Sequence, residues 1–227
     1  MIKLENVTKK YGANIVALDN ISLEIKQGEF VFLVGSSGAG KSTLLRILTR
    51  ELLPSSGKVI VHSTDITKLK NGQIPNYRRK IGVVFQDFKL LDDRTVFENV
   101  ALALEVTDKK DEEIAKEVEH ILKIVEIWDH RNLFPRQLSG GEAQRTAIAR
   151  AVVGKPEVVL ADEPTGDLDP QTAWGVIQLL NEISSWGKTI IMATHNQEIV
   201  NSLKKRVVTL KKGKIAKDSK EGKYDIH

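Results

Sequence analysis

Eight residues, Gly35-Ser36-Ser37-Gly38-Ala39-Gly40-Lys41-Ser42, constrain this chain more than any other stretch. The apolar run Phe30-Val31-Phe32-Leu33-Val34 leads into them. Thr43-Leu44-Leu45-Arg46-Ile47-Leu48, with helical spacing, leads out. Strand, glycine-rich loop and helix in that order fit the P-loop pattern G-x-x-x-x-G-K-[ST]. Gly35, Gly38 and Gly40 permit backbone conformations closed to residues with a Cβ, so the loop can turn its N–H groups around a phosphate chain. The following helix adds its own unsatisfied N–H groups and the positive end of its dipole. Lys41 brings a mobile cation to the β- and γ-phosphates, and the Ser42 hydroxyl can bind Mg²⁺.

The chain has 227 residues, enough for one large domain or a domain with a small subdomain, and no cysteine. Disulfide scaffolds, thiolate metal sites and a cysteine nucleophile are therefore excluded. No apolar run approaches the ~20 residues needed to span a bilayer. Met1-Ile2-Lys3-Leu4-Glu5 lacks the layout of a signal peptide, so the expected location is the cytoplasm. The net charge of +4 sits mostly late, in Lys204, Lys205, Arg206, Lys211, Lys212, Lys214, Lys217, Lys220 and Lys223. A basic end can favour an anionic membrane or nucleic acid. Asp218 and Glu221 interrupt it and no aromatics interleave, so a solvated tail over 217–227 is expected and nucleic acid is not.

Residues 2–8 and 21–26 alternate apolar and polar as half-exposed strands do. Tyr11 follows the first, placed either to stack on a base or to pack on its neighbours. Leu53-Pro54-Ser55-Ser56-Gly57 is a turn cluster before the strand Lys58-Val59-Ile60-Val61. A basic lead-in, Arg78-Arg79-Lys80, opens the run Ile81-Gly82-Val83-Val84-Phe85 that ends at Gln86. A glutamine there can ligate Mg²⁺ or hold an attacking water, or be an ordinary strand-end polar residue. Residues 95–126 carry helical periodicity broken at 108–111.

Leu138-Ser139-Gly140-Gly141-Glu142 precedes a helical segment. Ser139 is a good N-cap, and the glycines bare a second anion-binding helix start. A capped helix without ligand is the plain alternative. Val158-Val159-Leu160-Ala161 is a buried strand ending in Asp162-Glu163. Asp162 is placed to hold Mg²⁺, and Glu163 to orient and deprotonate a water. Two adjacent buried carboxylates would otherwise suffer desolvation and mutual repulsion. Pro164-Thr165-Gly166-Asp167-Leu168-Asp169-Pro170 is a loop of turn residues, and a helix from Gln171 to about Trp186 stops at Gly187. His195 sits just past the end of the buried strand 188–194, where it can reach a γ-phosphate or be a satisfied structural histidine. Residues 206–216 read as a hairpin around Lys212-Gly213.

In this order the motifs resemble the ATP-binding cassette (ABC) family over nearly the whole chain, from Tyr11 to about Gly213. The resemblance implies an α/β P-loop NTPase fold: a RecA-like core with an antiparallel β subdomain near the N-terminus, drawn from 1–86 and 156–216, and a helical subdomain over 87–155. It implies ATP and Mg²⁺ as cofactors, Tyr11 on the adenine, and Gly35 to Thr43 on the phosphates. Gln86 would be the coupling glutamine, Asp162 the metal aspartate, Glu163 the base and His195 the switch histidine. It further implies a head-to-tail homodimer in the ATP-bound state, the signature Leu138 to Glu142 of one copy closing on the ATP of the other. Asp167, Leu168 and Asp169 would lie at the seam. Asp167 stands where this branch usually has Asn, and Ala143 where Gln is common.

Gln86-Asp87, Leu90-Leu91, Asp93-Arg94-Thr95-Val96 and Asn99-Val100-Ala101 resemble the bacterial cell-division branch, the FtsE type. That branch implies an integral membrane partner of the FtsX type, met through about residues 87–101, a peripheral place on the inner face of the membrane, and ATP-driven motion passed to cell-wall hydrolases. A transport cassette of the lipoprotein-release, macrolide-export or amino-acid-import kind shares all the catalytic residues. A soluble ABC protein acting on ribosomes or DNA would be expected to carry two cassettes or a long coiled coil, and this chain has one cassette and no sustained heptads.

Overall fold

The computed structural model describes residues 1–12, 14–220, 222 and 224. In chain order the elements are β1 (Ile2–Tyr11), β2 (Ile15–Ile25), β3 (Phe30–Val34), α1 (Lys41–Leu48), β4 (Ser56–Val61), β5 (Thr64–Asp65), α2 (Ile74–Arg78), β6 (Ile81–Val84), α3 (Val96–Glu105), α4 (Asp111–Ile124), α5 (Gly140–Val152), β7 (Val158–Asp162), α6 (Pro170–Ser185), β8 (Thr189–Ala193), α7 (Gln197–Leu203), β9 (Arg206–Lys211) and β10 (Lys214–Ser219). The chain divides into two compact units, residues 1–78 with 184–227, and residues 79–183.

The first unit holds two kinds of strand. β2, β1, β4 and β5 lie in that order with antiparallel pairing. Exposed and buried residues alternate along the second half of β2, as expected of a sheet with one wet face. β4 begins at Ser56, two residues earlier than the sequence suggests, because Ser56 pairs with Thr8. β3 and β8 instead bury all five residues each. β3 pairs in parallel with β8 and with β9, and strands covered on both faces read as unbroken apolar runs. Phe30 and Phe32 stack tilted, their centroids 5.1 Å apart, and Leu44, Leu45, Ile47 and Leu48 of α1 are buried. Each such side chain contributes about 1.5–3 kcal/mol by leaving water.

The basic C-terminal segment is more structured than expected. β10 runs to Ser219, and Arg206 donates to Asp218 at 2.7 and 2.8 Å, to Glu29 at 3.0 Å and to the Glu24 carbonyl at 2.8 Å. Asp218 and Glu29 raise the Arg206 pKa against the opposing effect of burial. Lys214 pairs with Asp19 at 3.2 Å. Glu221, Lys223 and the last three residues of the expected tail lie outside the described residues.

In the second unit β6 and β7 run parallel, in register from Ile81 with Val158 to Val84 with Ala161. Between residues 85 and 157 every regular element is helical. α3 opens with a capping box: the Thr95 hydroxyl accepts from Glu98 N–H at 3.2 Å, and the Glu98 carboxylate accepts from Thr95 N–H at 2.7 Å. One turn on, Asn99 is fully buried. Its side chain accepts from Leu91 N–H at 2.8 Å and donates to the carbonyls of Leu91, Arg94 and Thr95 at 3.0–3.1 Å. A single amide thus satisfies the backbone of the loop that precedes its own helix.

Candidate active site

In the first unit, the carboxyl end of β3 passes through the glycine-rich loop into α1. Gly40 is the N-cap, at φ 110°, and no side chain caps the helix. A Cβ on Gly40 would stand 2.5 Å from the Ala17 carbonyl oxygen, so only glycine fits there. The first turn of α1 holds no acidic residue. Lys41 is 9 % exposed. Its Nζ donates to the Gly35 carbonyl at 2.8 Å and the Ser36 carbonyl at 3.4 Å, cinching the loop about its own cation. Ser42 is exposed and Thr43 half-buried. The Tyr11 hydroxyl lies 3.4 Å from the Thr43 hydroxyl, joining the end of β1 to α1, and Lys9 lies 5.4 Å from the Tyr11 ring centroid. Leu33 pairs with Ala193, so Gly35 and His195 each stand two residues past the paired ends of β3 and β8. His195 is exposed. Tyr11, residues 35–43 and His195 thus belong to one unit.

The second unit gathers the remaining site residues. Val84 pairs with Ala161, so Gln86 and Glu163 both stand two residues past the paired ends of β6 and β7. Gln86 lies flat on Gly166: a Cβ on that glycine would meet Gln86 Nε2 at 3.0 Å and Cδ at 3.2 Å. Gln86 Nε2 donates to the Asp167 carboxylate at 3.4–3.5 Å. Asp162 and Glu163 are half-buried rather than buried. The expectation of two buried carboxylates is therefore corrected: β7 leaves the core at its carboxyl end. Glu163 takes φ 49°, a left-handed conformation unusual for a side chain of its size, and its carbonyl accepts from Gly166 N–H at 3.1 Å.

Ser139 caps α5 as its sequence suggests, and does so reciprocally. Its hydroxyl accepts from Glu142 N–H at 3.4 Å, and Glu142 accepts from Ser139 N–H at 2.7 Å. That backbone N–H, with the Ser139 hydroxyl, holds the Glu142 carboxyl below its ordinary range. His130 Nδ1 lies 3.5 Å from Glu142. Gly140 packs on Leu168, and a Cβ on Gly141 would stand 2.5 Å from the Thr172 methyl, so the start of α5 lies against the start of α6. Asp169 caps α6, accepting from the N–H groups of Gln171 and Thr172 at 3.1 Å. Its bonds with Thr172, first through the side chain and then the backbone, lower its pKa. Leu138, just before the Ser139 cap of α5, is half-buried.

Sequence reasoning missed Thr172, whose methyl requires Gly141. It also missed Arg145, which donates to the Val125 carbonyl at 2.9 Å and pairs with Glu126 at 3.0 Å. The spacing Ser139-x-x-Glu142, like Thr95-x-x-Glu98, was a legible capping-box signal.

Residues 18–166 match the ABC transporter family. The cell division ATP-binding protein FtsE of Bacillus subtilis is 50% identical over 99% of this chain and 98% of its own. The methionine import ATP-binding protein MetN of Histophilus somni is 43% identical over 98% of this chain but 66% of its own. A dimeric, post-hydrolysis structure of the ATP-binding cassette MJ0796, bound to ADP and Pi, superposes with a TM-score of 0.89 at 39% identity, covering 99% of this chain and all of that one. The fold is that of a P-loop NTPase of the cassette type, and the chain is an ATPase. By residues and fold together, it belongs to the ATP-binding cassette family and, within it, to the FtsE branch of cell-division ATP-binding proteins.

Proposed function

We propose that this chain is the ATP-hydrolysing subunit of a membrane complex in bacterial cell division. The observation that carries the reading is end-to-end identity to cell-division relatives from several bacteria, 45–50% over 94–100% of the chain. Two copies pair head to tail on ATP. Residues 35–43 hold the phosphates, Tyr11 takes the adenine, and residues 138–142 close on the nucleotide of the other copy. Asp167, Leu168 and Asp169 form the seam. Glu163 takes the proton of the attacking water, and His195 reports the γ-phosphate.

Mg²⁺ bound with a nucleotide takes few protein oxygens and keeps several waters. The expected donors, the Ser42 hydroxyl, the Gln86 amide and the Asp162 carboxylate, are each of the oxygen type that this ion takes. When bound, the ion neutralises charge developing on the transferred phosphoryl group. Seating Gln86 on Gly166, with its Nε2 toward Asp167, leaves the amide oxygen as the acceptor for metal or water. Residues 87–101 meet an integral membrane partner of the FtsX type, which places the chain at the inner face of the membrane. Among the described residues no helix is long and apolar enough to cross a membrane.

The test is Glu163→Gln, which removes the base and leaves the binding groups. With ATP and Mg²⁺ the variant is expected to elute as a dimer in size-exclusion chromatography, and without ATP as a monomer. A variant that stays monomeric with ATP overturns the paired-cassette mechanism. The second reading, an import or export cassette, draws on the MetN likeness, although this chain spans only 66% of that protein. The co-purifying membrane protein decides between them: a four-helix partner supports the first, and one with a solute pathway supports the second.

A further inference from the structure

The loop after β6 carries a strain that its own residues do not relieve. Phe88 and Lys89 are both left-handed, at φ 55° and 50°, and neither is a glycine or asparagine. Two such residues in succession persist only when their surroundings over-determine them. Local support is thin. Lys89 N–H donates to the Asp87 carbonyl at 2.5 Å, and Lys89 pairs with Asp87 at the surface, where an ion pair is worth little.

The firm hold comes from 61 residues further along the chain, from Arg150 on α5. Its Nη1 donates to the Lys89 carbonyl at 2.6 Å and its Nη2 to the Phe88 carbonyl at 2.7 Å. One guanidinium fork therefore spans both strained residues, with the planar geometry that two adjacent acceptors require. Among the described residues no carboxylate pairs with it. Burial pushes its pKa down, as expected of a cation withdrawn from water to bind neutral carbonyls.

The two ends of this clasp matter differently. Gln86, two residues before Phe88, is the expected ligand of this chain's own Mg-nucleotide. The N-terminus of α5, three turns before Arg150, is the signature that meets the partner copy's nucleotide. We propose that Arg150 is a positioning residue that locks the Gln86 loop to the signature helix. Occupancy of one nucleotide site of the dimer is thereby passed to the other through α5. This rests on the paired-cassette reading above, in which Gln86 and the signature serve different nucleotides.

The test is Arg150→Lys, which keeps the charge and loses the fork, together with Lys89→Gly, which supplies left-handed backbone without strain. Arg150→Lys is expected to leave KM for ATP unchanged and to lower kcat about tenfold, the usual effect of losing an outer-shell partner. It should also flatten the ATP dependence of hydrolysis toward a Hill slope of one. Adding Lys89→Gly should return most of the lost turnover by relieving the backbone strain, while the slope stays near one because the link between the loop and α5 is still missing; a merely structural arginine would leave the slope unchanged throughout. Wild-type turnover in Arg150→Lys, or a loss that Lys89→Gly does not relieve, overturns the proposal. Should Arg150→Lys fail to fold, Arg150→Gln in the Lys89→Gly background is compared with Lys89→Gly alone: a flattened slope supports the proposal and an unchanged one overturns it. ATP-dependent dimerisation of Glu163→Gln, with and without Arg150→Lys, separates the two ideas. If Glu163→Gln itself stays monomeric, the paired-cassette reading fails. If both variants dimerise while Arg150→Lys turns over normally, only the role of Arg150 fails.

Discussion

Two helix starts in this molecule look alike in sequence, each opened by glycines, yet they are finished in opposite ways. α1 has Gly40 as its N-cap, no capping side chain and no acid in its first turn, and Lys41 adds a cation. α5 has Ser139 as its N-cap and Glu142 in its first turn, each satisfying the other's backbone N–H. The first start holds its donors ready for an anion. The second has already placed a carboxylate where an anion would be attracted. A single chain should therefore bind nucleotide at α1 without help; on the paired-cassette proposal, α5 would contribute only to a nucleotide that a partner copy presents.

Breaking the open start should give the largest effect. Lys41→Ala removes a charge-assisted donor worth about 1.5–3 kcal/mol, so ATP affinity of the single chain should fall about 10- to 100-fold by calorimetry. Ser139→Ala attacks the closed start. It should cost about 1 kcal/mol in denaturant unfolding and leave ATP affinity of the single chain unchanged. A drop in affinity from Ser139→Ala would show that α5 does bind within one chain, and the contrast would collapse.

The smallest effect concerns pH. The Glu142 carboxyl is held below its ordinary value of 4.5 by the Ser139 N–H, so its contribution to stability is present above that value. It is lost as the pH falls through the lowered pKa. Glu142→Gln keeps an acceptor but removes the titration. The stability gap between wild type and variant, at most about 1 kcal/mol, should close below pH 4.5. A gap that holds constant down through the acid range would mean that the carboxylate's charge does nothing at this cap.

The glycine-rich loop, the cap at Ser139 and the strand ends at Gln86, Glu163 and His195 were legible because each is written in neighbouring residues. A loop that must turn its amides inward needs glycine at fixed offsets, and a buried parallel strand needs an unbroken apolar run. Arg150 and Asn99 were not legible, because what they bind is backbone. Carbonyls of Phe88, Lys89, Leu91 and Arg94 leave no mark in the side-chain pattern that reveals their partners. α7 was missed for a different reason. It is seven residues long, capped by Asn196, and ends at the left-handed Lys204 rather than at a glycine. The half-exposure of Asp162 and Glu163 depends on where β7 leaves the core, and the apolar run that precedes them does not specify that point.

Asn99 has one more consequence. Its four hydrogen bonds all reach back four to eight residues, and the Thr95–Glu98 box is more local still. Contacts this short in sequence close cheaply and early in folding. The segment from Leu91 to Asn99 therefore takes much of its shape from within itself, and the N–H groups of Val96 and Phe97 tie it to the carbonyls of Leu133 and Arg131 at 2.8 and 2.9 Å. A partner docking on it would meet a surface whose conformational entropy was already spent during folding, and little of the association energy would go into ordering it.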